Sequence, residues 1–113
     1  MSWFNSKKKV IKPITAAEAK SLTLLACESR VDEATEAVMD WIFQEIQEWI
    51  IPKGNFHVKY NIESILLGKY IVLSEENRLT VASNVVARLA GYGYKVQLNV
   101  RETGDYEVEV DWS

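Results

Sequence analysis

The chain has 113 residues, of which 48% are hydrophobic and 26% charged, with a net charge of −3 and a single cysteine. That is enough apolar material for one domain with one core. It excludes a disordered chain, a dedicated basic nucleic-acid binder, an internal disulfide and, with no run of roughly 18 to 20 apolar residues, a membrane span. A soluble protein of a reducing compartment is expected, or of a particle assembled in one.

Residues 1–12 read as an N-terminal arm, with Trp3 and Phe4 ahead of the basic run Lys7, Lys8 and Lys9. No apolar stretch follows those charges, so the arm is not a secretory signal. One reading is an ordinary solvated chain end. The other is a contact element whose aromatics dock on a neighbour. Three lysines support at most weak, salt-sensitive contact with nucleic acid.

Residues 13–113 read as a single α+β domain organised around a long helix from Thr15 to Ile51. Thr15 and Glu18 form a T-x-x-E capping box, and Ser29-Arg30 is the one soft spot in the pattern. Val31, Ala34, Val38, Ile42, Ile46 and Trp49 recur at three- and four-residue steps, while Asp32, Glu33, Glu36, Asp40, Gln44 and Gln47 take the opposite side. At roughly 100° per residue, Val38, Met39, Ile42, Phe43, Ile46, Trp49 and Ile50 fill a wide arc, with Trp41 outside it. A small sheet does not need so wide a face. Such a helix would extend about 55 Å at 1.5 Å per residue, against a radius of gyration of about 13 Å for a domain of this size. It must bend, break near Ser29-Arg30 or project. The surplus apolar surface predicts a protein–protein contact and a homo-oligomer, with Trp3, Phe4, Met39, Trp41, Phe43, Trp49 and Ile50 as the candidate interface.

Pro52-Lys53-Gly54-Asn55 ends the helix. Phe56, Val58, Tyr60 and Ile62 then alternate with His57, Lys59 and Asn61, predicting a half-buried strand. Residues 63–73 are ambiguous: a helical turn at Ser64 to Leu67 followed by a short strand from Tyr70 to Leu73 fits them. Ser74 caps a second helix with inner residues Leu79, Ala82, Val86 and Leu89, backed by Val85 and Val81, and closed by Gly91 at the C′ position. Tyr94 to Val100 and Tyr106 to Trp112 alternate as a hairpin around Glu102-Thr103-Gly104, with Val100 opposite Tyr106 and Gly104 at a positive φ. The order α-β-α-β-β predicts a mixed sheet of about three strands with both helices on one face. Its first and second strands are expected to run parallel through a right-handed crossover.

No group of residues reaches a catalytic, cofactor or metal motif. His57, the only histidine, lies on a strand's polar side with no nucleophile in reach. Cys27, among Leu24, Leu25 and Ala26, reads as a small buried residue. Glu33, Glu36 and Asp40 form a stripe that continues as Gln44 and Gln47, the pattern of a solvated helix face. Gly91-Tyr92-Gly93 lies between a helix and a strand, the reverse of a phosphate loop. Core packing, rather than base stacking, accounts for Tyr94, Tyr106 and Trp112. A non-enzymatic protein is expected.

Three stretches carry a resemblance: Thr15-Ala16-Ala17-Glu18-Ala19, the long acidic helix ending at Gly54, and Gly93-Tyr94-Lys95-Val96 with the closing Val110-Asp111-Trp112. Over about residues 14–112 the chain resembles small phage-encoded proteins with a T-A-x-E-A start, a long helix, a G-Y-K-V strand and a final strand ending in Trp. Residues 63–73 depart from that pattern as an apparent insertion. The resemblance implies a bacteriophage virion or structural protein, located in the particle or in the host cytoplasm during infection. The alternative it implies is an accessory protein that binds a host protein or a small signalling molecule. It supplies no catalytic residues.

Overall fold

The computed structural model describes residues 12–113. Thr15 takes an extended backbone conformation, and its side chain accepts from the Glu18 backbone N–H while Glu18 reaches back to the Thr15 N–H, which closes the expected capping box. From there α1 runs without a break through Ser29-Arg30, over Ala16–Glu45. It continues as a π-helical turn, Ile46–Ile50, and a single 3₁₀ turn, Ile51–Lys53. Gly54, at φ 78°, ends it in a left-handed cap, with Gly54 N–H donating to Ile51 O and Asn55 N–H to Ile50 O. Glycine stands there because an L side chain disfavours that φ.

Strand β1 (His57–Asn61) is shorter than its alternation predicts. Asn61 caps α2 (Ile62–Gly68), its side chain accepting from Ser64 N–H at 2.9 Å. The extended pattern at Ile62 is therefore the buried first residue of a helix. No strand forms over Tyr70 to Leu73. Instead Tyr70 N–H donates to Leu67 O and Ile71 N–H to Leu66 O, a helix-ending motif that places Tyr70 at φ 58°. Helix α3 (Glu75–Gly91) is capped by Ser74. Its left-handed terminator is Gly93, at φ 94°, rather than Gly91: Gly93 N–H donates to Ala90 O and Tyr94 N–H to Leu89 O.

Strands β2 (Lys95–Val100) and β3 (Tyr106–Asp111) form the hairpin in the expected register, Val100 opposite Tyr106 and Val96 opposite Val110, with Gly104 at φ 87°. The sheet order is β1-β3-β2. β1 and β2 run in the same direction, as expected of strands joined through helices. They are not neighbours, and both hydrogen-bonded pairs are antiparallel. A direct parallel pair would have left β3 on an edge. Inserting β3 between them gives Val108 and Val110, both fully buried, a partner on each side, Tyr60 and Leu98 for the first and Val58 and Val96 for the second.

The α+β architecture is thus a three-stranded sheet with helices on one face. α3 shares its core through Val81, Ala82, Val85 and Leu89, and α1 adds Val31, Ala34, Val38, Met39, Ile42 and Ile46. Thr35, the one fully buried polar residue of that stripe, donates to Val31 O and accepts from Asn84 Nδ2. Glu36 and Arg88 pair across the two helices. Glu63 accepts from the Tyr106 N–H and lies 3.4 Å from Arg78 Nε, tying α2 to the sheet and to α3.

Candidate interaction surface

The burial of α1 begins at Val31. The preceding fifteen residues, Ala16 to Arg30, run out from the body for about 22 Å at 1.5 Å per residue. The molecule accordingly measures 64 × 31 × 27 Å, with a radius of gyration of 19.2 Å. Of the three solutions open to the long helix, it projects. The projecting tip is poorly suited to water. Between Lys20 and Glu28 no residue is charged, and Leu22, Leu24 and Leu25 are 57%, 59% and 62% exposed. At 100° per residue these leucines and Ala26 spread over more than half of the circumference, and uncharged Thr23 and Cys27 fill the rest. A helix that is apolar all round is one that other protein covers. Cys27, expected in a core, is half-buried on this tip.

At the root of the tip lies the loop that follows α2. Tyr70 and Val72 are exposed there, Tyr70 to 94%, as is Leu67 in the last turn of α2. Arg30, Glu33 and Ala34 of α1 form a shallow groove of about 300 Å³ with Tyr70, Ile71 and Val72. Tip and loop together make one apolar end of the molecule, of the kind that marks a contact surface.

The interface expected from the sequence lies further along α1, where its described residues range from buried to exposed. Met39 is buried in the core. Trp41 meets Tyr60 edge-on at 5.1 Å between ring centroids, and Phe43 meets Tyr92 at 5.1 Å and Tyr94 at 6.3 Å. Ile42 is enclosed, while Phe43 within the arc and Trp41 outside it reach different parts of the body. Trp49 is exposed and Ile50 half-buried at the far end of the helix from the tip. Trp3, Phe4, Lys7, Lys8 and Lys9 lie outside the described residues. Leu22, Leu24, Leu25 and Tyr70 were missed as contact candidates. The charge gap from Ser21 to Cys27, flanked by Lys20 and Glu28, was the signal that marked them.

On the sheet face away from the helices, His57 Nε2 donates to Glu109 Oε2 at 2.9 Å, Lys59 approaches the same carboxylate at 3.9 Å, and Asn99 Nδ2 donates to it at 3.2 Å. The bond from His57 is the leading cause that holds the Glu109 carboxyl below its usual pKa; desolvation opposes it, and the bond from Asn99 and the charge of Lys59 add to the lowering. This network uses the lone histidine for cross-strand pairing. Tyr60, whose hydroxyl is buried without a partner, has its pKa pushed up to about 12 by burial and by the charge of Glu45.

Among the described residues no group of three or more His, Cys, Asp or Glu side chains is placed to hold a metal ion. No described helix is long and apolar enough to cross a membrane. A scan against protein-family models returned no match, and neither curated proteins nor solved structures include one that matches this chain.

Proposed function

We propose that this protein is a non-enzymatic structural subunit that works through protein–protein contacts, and that its contact element is the projecting tip of α1 with the Tyr70 loop at its root. One observation carries the reading: a two-turn uncharged stretch with three leucines that the protein's own body leaves exposed. The cost of leaving such a surface in water is removed when a partner covers it, at about 25 cal/mol per Å² of apolar area. The setting, a phage virion or the host cytoplasm during infection, rests on the sequence resemblance, and the partners are other virion proteins or further copies of this chain.

Mass spectrometry of purified particles tests the reading. The unaltered chain is expected in the particles at a fixed copy number. Replacing Leu22, Leu24 and Leu25 together by Gln should abolish incorporation while leaving thermal unfolding of the body unchanged. Incorporation of this variant at the normal level overturns the role of the tip. Recovery of the chain only in complex with a host protein favours an accessory role over a structural one.

A further inference from the structure

We propose that the tip's partner is a second copy of this chain, its helix laid antiparallel with Leu24 against Leu24 at a two-fold axis. The inference rests on the contact role assigned to the tip, and three observations select the occupant and the direction.

The first is the face. Counting back from the buried stripe Val31, Ala34 and Val38, the same side of α1 continues off the body as Cys27 and Glu28, Leu24, Ser21 and Lys20, and Ala17. A second helix on that face extends the layer in which the body already lies.

The second is the charge pattern, which is symmetric about Leu24. Lys20 and Glu28 stand four residues to either side of it, Ser21 and Cys27 three, and Ala17 and Val31 seven. An antiparallel pair centred on Leu24 sets Lys20 across the seam from the second copy's Glu28, and does so twice, with only small residues between them and the central leucines. A parallel pair sets Lys20 against Lys20 and Glu28 against Glu28. Opposite charges at neighbouring positions favour pairing and like charges oppose it, so the direction is antiparallel.

The third is length. With Leu24 on the axis, Ala17 of each copy comes level with Val31 of the other, the residue where burial begins. The overlap therefore runs the whole length of one face of the projecting tip and ends where the two bodies start. Thr15 and Ile14, itself half exposed at 52%, arrive at the groove between Arg30 and Tyr70-Ile71-Val72. The contact is isologous, as two-fold dimers require. Two tips about 22 Å long cover less than the roughly 800 Å² per partner of a standard interface, so dissociation on the order of micromolar is expected.

The test uses the full chain. Sedimentation from 1 to 200 µM is expected to show a monomer–dimer equilibrium. Lys20→Glu or Glu28→Lys alone should weaken the dimer at least tenfold, and the two together should restore it. In a Cys27→Ser background, Leu24→Cys should form an intermolecular disulfide on mild oxidation, and Leu22→Cys, on the opposite side of the helix, should not. A monomer across the whole range overturns the proposal, as does a double reversal that fails to restore association. A monomer with tip amides strongly protected from hydrogen exchange assigns the cover to the chain's own first eleven residues and also overturns it. Particle incorporation separates the two claims. If the dimer is absent but the triple leucine variant still loses incorporation, the contact role stands and the second copy falls. If the variant is incorporated normally, the contact role falls as well.

Discussion

Ile42 sits at the centre of α1's packed half, fully enclosed, with Trp41 and Phe43 reaching past it on either side. Ile42→Ala removes three carbons from a site with no solvent. At about 0.8 kcal/mol for each buried carbon the transfer loss is about 2.4 kcal/mol, and the cavity left behind raises the total to about 3 to 4 kcal/mol. Collapse is hindered because the core cluster that holds Ile42 is built from separate elements, with Val85 from α3 and Val108 from β3 fully buried in it. For a domain near this size each kcal/mol lowers the melting midpoint by about 4 to 8 °C, so a drop on the order of 15 °C is expected. Circular dichroism melts and urea titrations on the same samples measure it, and an unchanged urea slope confirms that the native state lost stability without loosening. Leu22→Ala, on the same helix but exposed, should move the midpoint by no more than about 0.5 kcal/mol's worth at low micromolar concentration. Equal destabilisation by the two substitutions would show the tip to be packed against the body, and the division of α1 into a core half and a contact half would be wrong.

Trp112→Ala should cost about 2 to 3 kcal/mol, less than a fully enclosed aromatic, because the ring is half-buried and stacks edge-on to Tyr94 at 5.9 Å; a urea midpoint within error of the parent would place it outside the fold. Thr15→Ala deletes the capping box, worth about 1 kcal/mol to the helix end, but the affected residues touch nothing in the body. Faster amide exchange over Ala16 to Leu22 with an unchanged global melt is therefore expected, and a matching loss of global stability refutes it. His57→Ala removes the leading cause of the lowered Glu109 pKa, so an NMR titration should show that carboxyl moving up towards its ordinary value. The sign follows from linkage: with the folded pKa depressed, the contribution is present above the unfolded pKa and is lost as pH falls through the folded one. The variant should lose part of that acid-side dependence, and a carboxyl pKa that does not move would show the His57 bond to be inconsequential.

The hairpin was readable to the residue. Its two faces differ so strongly in polarity that any slip would bury Arg101's side, and Gly104 sits where the turn needs a positive φ. The second helix was readable through Ser74, although Gly93 rather than Gly91 ends it, since a glycine pair two apart leaves either able to take the left-handed position. Alternation alone misled at Ile62, because a buried residue at a helix start looks like the next step of a strand and only Asn61's cap distinguishes them. The β1-β3-β2 order lay beyond local pattern. It follows from which strand is most in need of burial on both sides, and that is a property of the assembled sheet. The candidate surface was half legible. Periodicity showed that the long helix carried more apolar surface than one sheet requires, and located the excess where the side chains are widest, at Trp41 and Phe43, which the body covers only in part. The excess left exposed is among the leucines, where the absence of charge was the better guide. Trp49, offered by the sequence as a contact residue, is exposed, and it lies in the π turn at Ile46–Ile50, which departs from the 100° step.

Tyr70 occupies the left-handed position that glycine holds at the ends of α1 and α3. A tyrosine there carries backbone strain on the order of 1 kcal/mol that glycine would not, and its ring, almost wholly in solvent, recovers none of it through packing. Tyr70→Gly is thus a substitution that thermodynamics alone favours. A chain selected only for durability would drift towards it, and one that must present an aromatic beside the root of its projecting helix would not. Passaging a randomised codon at this position under two regimes, resistance to heat and competence for assembly, would pull the residue in opposite directions and turn one strained dihedral into a readout of what the protein is kept for.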